Sequence, residues 1–301
     1  METASRNRKF TALLTNRQLT RLVHTRIGGL RRFTNRSQGE HRSGRSGQST
    51  EFCDYRDYTP GDDIRYVDWN IFARLRRPYL KLFLEEERTH VVLLIDASDS
   101  MRFEEKLPRA LQLAAAFGAA ALAGAEAVSA AVINGRDAPL RRMPACTGRA
   151  SMQRLFAFLE ETEPGGDAPL ETGIDALLRE HRGRGIVVVL SDYLTTGDLR
   201  RSCNALFSRG LEIFGLQILG PTEIDPDVSG DLRLIDCETA DQLDISSAPS
   251  LLSVYQDHRM AYARQLERLC RQRGGRFMAT GANEPLDEVL FDQLRRTGWL
   301  Q

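Results

Sequence analysis

Two short stretches of this 301-residue chain hold the residue types most able to do chemistry. Asp96-Ala97-Ser98-Asp99-Ser100 follows the apolar run 91–95, and Ser191-Asp192 follows the apolar run 186–190. Each joins carboxylates to hydroxyls, and neither contains His or Cys. The combined set is all oxygen and suits a hard cation, Mg²⁺ or Mn²⁺, better than zinc. Hydroxyls fill coordination positions without neutralising an ion, and carboxylates acting partly through bound water leave it net positive with an exchangeable position. Such an ion stays receptive to an outside carboxylate. A purely structural use fits the same residues, because Asp and Ser at a strand end satisfy backbone groups in the following turn. Spacing alone leaves both open.

The elements that must position these residues are legible as a pattern. Apolar runs at 91–95, 127–133, 186–190, 211–219 and 232–235 have strand length, and those at 91–95 and 186–190 are apolar at every position, which implies burial on both sides. Between them, 109–126, 150–161, 170–181 and 197–209 have helical spacing. A helix over 251–273, a strand near 276–279 and a helix over 286–296, entered through Asn283-Glu284-Pro285, complete the series. Alternating strands and helices predict an α/β fold, doubly wound around a mostly parallel sheet. Ligands of such sheets bind beyond the carboxyl ends of the strands, where both acidic stretches fall.

The Asp96–Ser98–Ser100 spacing resembles the Asp-x-Ser-x-Ser element of von Willebrand factor type A domains, whose metal-ion-dependent adhesion site follows the first strand. That resemblance implies Asp192 as the last acid of the site. It also implies a threonine from the loop Gly165-Gly166-Asp167-Ala168-Pro169-Leu170-Glu171-Thr172. The family's Gly-Gly-Thr is absent there, so either Thr172 serves after an insertion, Asp167 substitutes, or the site binds metal poorly.

Upstream, Arg56-Asp57-Tyr58-Thr59-Pro60-Gly61-Asp62-Asp63-Ile64-Arg65-Tyr66-Val67-Asp68-Trp69, then Ala73-Arg74, is similar to the signature of the bacterial family called domain of unknown function 58. The likeness runs from about Gly28 to Leu300 and includes Asp236-Cys237-Glu238-Thr239. Tyr58 to Asp63 is a turn: Pro60 presets one dihedral, Gly61 permits the next, and Asp62 or Asp63 caps the segment after it. Arg56, Arg65 and Arg74 among Asp57, Asp62, Asp63 and Asp68 read as a salt-bridge network clamping this segment to the body, with Trp69 as apolar anchor. The alternative is a partner-docking or anion-binding surface built from the arginines.

Composition narrows the classes. The chain is 42% hydrophobic and 27% charged, with 41 Lys+Arg against 41 Asp+Glu, as in soluble globular domains. The balance conceals a split: residues 1–50 hold 11 Lys/Arg and two acids, net +9, leaving net −9 for the rest. Three regions are expected: a basic, partly flexible arm over 1–50, the signature segment over 51–89 packing on the body, and the von Willebrand type A-like domain over 90–301. Five dispersed cysteines without a C-x-x-C pair suggest neither a disulfide framework nor a zinc ribbon. The most apolar stretch, 113–125, is shorter than the roughly 20 residues of a membrane span and reads as a buried helix. With no secretory apolar segment at the amino terminus, the cytoplasm is the expected location.

Catalytic machinery is not evident. Ser98 stands where an aspartate-nucleophile phosphatase needs a second Asp, no P-loop exists, and the five histidines form no H-x-x-x-H or H-E-x-x-H group. The expected function is a non-enzymatic adaptor whose Mg²⁺ (or Mn²⁺), held by Asp96, Ser98, Ser100, Thr172 and Asp192, captures a partner acid. The family resemblance implies a MoxR-type AAA+ ATPase, or its client, as partner. The alternatives are a metal-dependent phosphoester or amide hydrolase using Asp99 or Asp192 as base, and nucleic-acid binding through the basic arm.

Overall fold

A computed structural model describes residues 10–28, 52–83, 89–134, 140–195, 197–227, 232–235, 242–245 and 249–301. Described residues 10–28 and those from Thr89 onward form one compact unit, and 52–83 lie in a second. The arm tract at 37–50 and Asp236 to Thr239 lie outside the described residues.

The described chain begins with α1 (Asn16–Leu22), started by a capping box between Thr15 and Gln18. Leu14 and Leu22 are buried in the large unit's core. Arg26 and Gln301 exchange backbone hydrogen bonds of 2.8 Å, and Ile27 bridges Leu300. Residues 10–28 are therefore part of the α/β unit, because the leucines between the arginines supply an apolar face.

In the small unit, β1 (Phe52–Asp57) pairs antiparallel with β2 (Tyr79–Phe83). A 3-10 turn (Ile64–Tyr66) and α2 (Trp69–Leu75) lie between them. Val67 and Leu80, joined by a bridge, are its buried apolar residues.

The large unit continues through β3 (His90–Asp96), α3 (Lys106–Ala123), β4 (Ala127–Ile133), β5 (Arg141–Thr147), α4 (Met152–Glu160), α5 (Leu170–Glu180) and β6 (Gly185–Ser191). It then runs through α6 (Leu199–Ser208), β7 (Leu211–Leu219), α7 (Pro221–Ile224), β8 (Leu232–Ile235), β9 (Gln242–Ile245), α8 (Pro249–Arg271), β10 (Arg276–Gly281) and helical turns over 286–296. One six-stranded sheet has the order β10-β7-β6-β3-β4-β5. All its pairings are parallel except β4–β5. Numbered within the sheet, this is the doubly wound order 3-2-1-4-5-6, the expected von Willebrand type A-like α/β fold.

β3 shows why a continuous apolar run specifies a central strand. Val91, Leu93 and Ile95 enter one core with α3, α4 and the carboxyl-terminal turns. Val92 and Leu94 enter the other, with α5, α6 and α8. Helix α3, which includes the 113–123 stretch, is buried along most of its length. Close packing is possible because it presents small residues: a Cβ on Gly118 would stand 2.2 Å from Leu155 Cδ2. Among the described residues, no helix is long and apolar enough to cross a membrane. Cys146, Cys203 and Cys270 are free thiols.

Two strand expectations change. The run 232–235 is not in the main sheet but pairs antiparallel with β9 in a hairpin of its own. The antiparallel edge place belongs to β5, whose sequence Arg141-Arg142-Met143-Pro144 disguises it. Pro144 is tolerated there because an edge strand has one unpaired side.

Candidate functional site

β3 and β6 are neighbours, but the chain leaves β3 towards β4 on one side and leaves β6 towards β7 and β10 on the other. Such a reversal opens a crevice at the carboxyl ends of the two strands. Asp96 ends β3, Ser191 ends β6, and Asp192 follows.

Asp96 is buried. Its Oδ2 accepts a hydrogen bond from Ser191 Oγ at 2.6 Å and its Oδ1 one from Ser98 N–H at 3.0 Å. The hydroxyls of Ser98 and Ser100, both buried residues, are 3.0 Å apart. Burial, and then the charge of Asp192, push the Asp96 carboxyl up to about 6, only partly offset by the bonds from Ser191 and Ser98. Two buried carboxylates that repel one another, with hydroxyls beside them, form a donor set that a hard cation complements. Among the described residues no group of three or more His, Cys, Asp or Glu could hold a metal. A cation at Asp96, Ser98 and Ser100 would have to draw on the hydroxyls as well as on the carboxylates.

Asp192 is 1% exposed and already engaged. Its Oδ1 accepts from Leu194 N–H at 3.0 Å, and its Oδ2 from Lys106 Nζ at 2.8 Å. Lys106 reaches on to Glu223 Oε1 at 2.7 Å. Burial lowers the Lys106 pKa, but the charges and hydrogen bonds of Asp192 and Glu223 outweigh it, and the net shift is upward. Gln217 Nε2 donates to the Asp192 carbonyl at 3.0 Å, and Tyr193 holds a positive φ of 59°. Lys106 and Glu223 escaped the sequence reading. The available signal was a lysine opening a helix, where the dipole disfavours a cation without an anionic partner.

Asp99 fastens the neighbouring loop to the crevice. Its N–H donates to the Gly166 carbonyl at 2.8 Å, and its Oδ2 accepts from Gly166 N–H at 3.1 Å. Gly165 N–H donates to the Ala97 carbonyl at 2.7 Å. The loop thus approaches the Asp96 turn through Gly165 and Gly166. Thr172 is not brought to this contact: it is exposed in the first turn of α5, its N–H bonded to the Pro169 carbonyl. The helix begins at Leu170, so Thr172 has already left the loop. Asp167, exposed, follows Gly166 directly.

In the small unit the signature residues build a turn and two caps. Arg56 makes a two-pronged ion pair with Asp62, at 2.9 and 2.7 Å, and Asp62 also accepts from Thr59 N–H and Oγ1 at 2.8 Å each. The guanidinium of Arg56, ahead of the Thr59 bonds, holds the Asp62 carboxyl far below the usual range. Gly61 has φ 109°, and Tyr58 N–H reaches the Pro78 carbonyl at 3.1 Å. Asp63 caps the 3-10 turn and pairs with Arg65. Asp68, nearly buried, caps α2 and also accepts from Tyr55 and Lys81. These ion pairs join residues of the turn and hairpin themselves, and Arg74 is exposed in the last turn of α2. Trp69 is 59% exposed, with its ring edge-on to Phe72. It opens a helix of seven residues, and the unit's interior is taken by Val67 and Leu80.

Comparison with known proteins places these observations in a family. The model of the family described as protein of unknown function DUF58 matches residues 54–268. Uncharacterized proteins of Mycobacterium tuberculosis and Mycobacterium bovis are 31% identical over 272 residues, covering 87% of this chain and 84% of theirs. Among solved structures, BatB from Bacteroides thetaiotaomicron is 15% identical, with a TM-score of 0.41 over 69% of this chain and 98% of its own. Proximal thread matrix protein 1 from the mussel byssus, described with a zinc occupied MIDAS motif, is 9% identical, with a TM-score of 0.37 over 71% of this chain and 48% of its own.

Proposed function

The chain belongs to the DUF58 family of proteins of unknown function, and from that premise we propose that the carboxyl edge of its sheet is a cation-dependent site of protein–protein interaction. Asp96, Ser98 and Ser100 are the residues assigned to hold Mg²⁺ or Mn²⁺, with Asp192 as the second acid. A divalent ion supplies an exchangeable coordination position for an outside carboxylate. The observation that carries the reading is the buried Asp96 carboxyl, raised to about 6 beside Asp192 and flanked by hydroxyls 3.0 Å apart.

The chain's own residues prepare the site. Ser98 N–H and Ser191 fix the Asp96 carboxylate, and Asp99 pins Gly166 against the turn. The partner contributes a Glu or Asp. By the resemblance of its signature segment, that partner is a MoxR-type AAA+ ATPase or a client of one, and this chain acts as a non-enzymatic adaptor.

Calorimetric titration of chelator-stripped protein with Mg²⁺ and Mn²⁺ tests the reading, beside Asp96→Ala and Ser98→Ala. Binding by the wild type that both variants lose, with unchanged far-UV circular dichroism, is the expected result. Binding unaffected by Asp96→Ala overturns it. So does cation-independent capture of an acidic partner by protein that binds neither ion.

A further inference from the structure

We infer that Lys106 is a resident counter-cation of this site, bonded to Asp192 in the absence of a divalent ion and shifted towards Glu223 when one binds, so that Lys106 sets the site's cation affinity. The inference rests on the cation reading above and concerns a residue to which that reading gives no role.

Several independent observations converge on it. The chain has 38 arginines and only three lysines, Lys9, Lys81 and Lys106, and Lys106 is 1% exposed. An ammonium is a compact point charge, unlike a planar guanidinium, and can occupy the place of an ion beside a carboxylate. It stands at the first position of the 18-residue α3, where the helix end disfavours a cation, so its place depends on the anions it meets.

Those anions leave it an alternative. Asp192 gives one oxygen to Leu194 N–H and the other to Lys106, while Glu223 gives one to Gly220 N–H and the other to Lys106. The ammonium bridges two carboxylates at 2.8 and 2.7 Å and can weaken one contact without losing both. The backbone before it is reversed by two successive non-glycine residues of positive φ, Glu104 at 48° and Glu105 at 61°. Such conformations persist only where the surroundings impose them. Glu104 Oε2 also accepts from Thr222 N–H at 3.0 Å, in the turn that carries Glu223. The segment is thus held at two points, and the second holds whether Lys106 leans towards Asp192 or Glu223.

Charge favours the exchange. An ion of charge +2 at Asp96, Ser98 and Ser100 attracts the nearby Asp192 carboxylate and repels the ammonium on it. A lysine serving only as a structural salt bridge stays in place when the ion binds.

The test uses full-length, chelator-stripped protein with lysine labelled with ¹³C at Cε, so that three lysines give a small, assignable set of signals. Titration with Mg²⁺ should move the Lys106 signal in step with the calorimetric isotherm while those of Lys9 and Lys81 stay. Lys106→Met should bind Mg²⁺ at least tenfold more tightly. Should that variant fail to fold, Glu223→Gln supplies the opposite arm: it leaves the ammonium to Asp192 alone and should weaken Mg²⁺ binding more than Glu104→Gln, which removes the same charge without touching Lys106. Asp96-dependent Mg²⁺ binding with a stationary Lys106 signal, unchanged affinity in Lys106→Met, or equal effects of the two Glu→Gln variants overturns the inference and leaves the cation reading standing. Absence of Mg²⁺ binding in both the wild type and a folded Lys106→Met overturns the cation reading, and this inference with it.

Discussion

Asp96→Asn should stabilise the protein in chelator at neutral pH, even though it alters the centre of the candidate site. An unfolded aspartate titrates near 3.9, and the folded Asp96 near 6, so the folded carboxyl holds its proton more tightly. Below about pH 4 the group is neutral in both states and makes no difference. As pH rises from about 4 to about 6, the unfolded state ionises first and folding loses stability; above about 6 the loss is complete. Two pKa units correspond to about 3 kcal/mol. Asparagine keeps an oxygen for Ser98 N–H but must reorganise the bond with Ser191, at about 1 kcal/mol, so the net gain at pH 7 is about 2 kcal/mol. Urea unfolding with EDTA at unit steps from pH 4 to pH 8 measures it, and the variant-minus-wild-type difference removes contributions common to both. At pH 4 the variant should be the less stable by about 1 kcal/mol, the cost of the Ser191 bond alone; the difference should rise with pH, change sign and level off above about pH 6. With saturating Mg²⁺ the order should reverse, since the wild type alone gains a ligand's binding energy. A variant less stable than wild type in EDTA at pH 7, or a difference that does not vary with pH, refutes the argument.

Two further outcomes concern the opposite edge of the same strands. His90 lies 4.9 Å from His181 between ring centroids, and burial, then the charge of His181, bring its pKa down to about 4. Because this lies below the unfolded value near 6.5, its stability contribution is intact above pH 6.5 and lost as pH falls towards 4. After discounting for partial exposure, His90→Gln should remove ~2 kcal/mol of that acid-side loss, read as a flatter urea midpoint between pH 6.5 and 4. Gly185→Ala brings a Cβ to within 2.0 Å of the His90 carbonyl, a backbone atom that cannot swing aside. Separation of β6 from β3 should lower stability by about 2–3 kcal/mol, seen as a reduced melting temperature; an unchanged one refutes that packing.

How far each interaction reaches decided whether the sequence revealed it or hid it. Val91 to Ile95 could be read as a central strand because two-sided burial leaves a mark at every position. Arg141 to Thr147 could not, since an edge strand tolerates arginines and Pro144. The run 232–235 has strand composition, but composition does not say which sheet a strand joins. Asp96 and Asp192 could be brought together without coordinates because strand polarity and the sheet's reversal fix where carboxyl ends meet. Lys106 contacts residues 86 and 117 positions away, and nothing local announces such a pairing. Thr172 is the nearest threonine to Gly165 and Gly166 in sequence, but the start of α5 at Leu170 separates it from the turn that those glycines reach. Leu14 and Leu22, buried among arginines, mark an apolar helix face by their spacing, but local spacing does not say what that face packs against.

The site's net charge bears directly on an acidic partner. Asp96, Asp192 and Glu223 against Lys106 leave two negative charges at the crevice when all are ionised. Without a cation, an approaching carboxylate is repelled, and burial makes that repulsion stronger than at an exposed surface. A divalent ion neutralises those two charges, so cation binding would remove the repulsion as well as provide a coordination position. A stronger salt dependence of partner binding without the cation would be misleading here, because salt screens repulsion as well as attraction. The informative comparison is Asp192→Asn against wild type, both in EDTA: one negative charge fewer should increase residual partner binding even while cation binding falls. A decrease in both would mean that Asp192 contacts the partner directly, and that neutralisation is not how the site works.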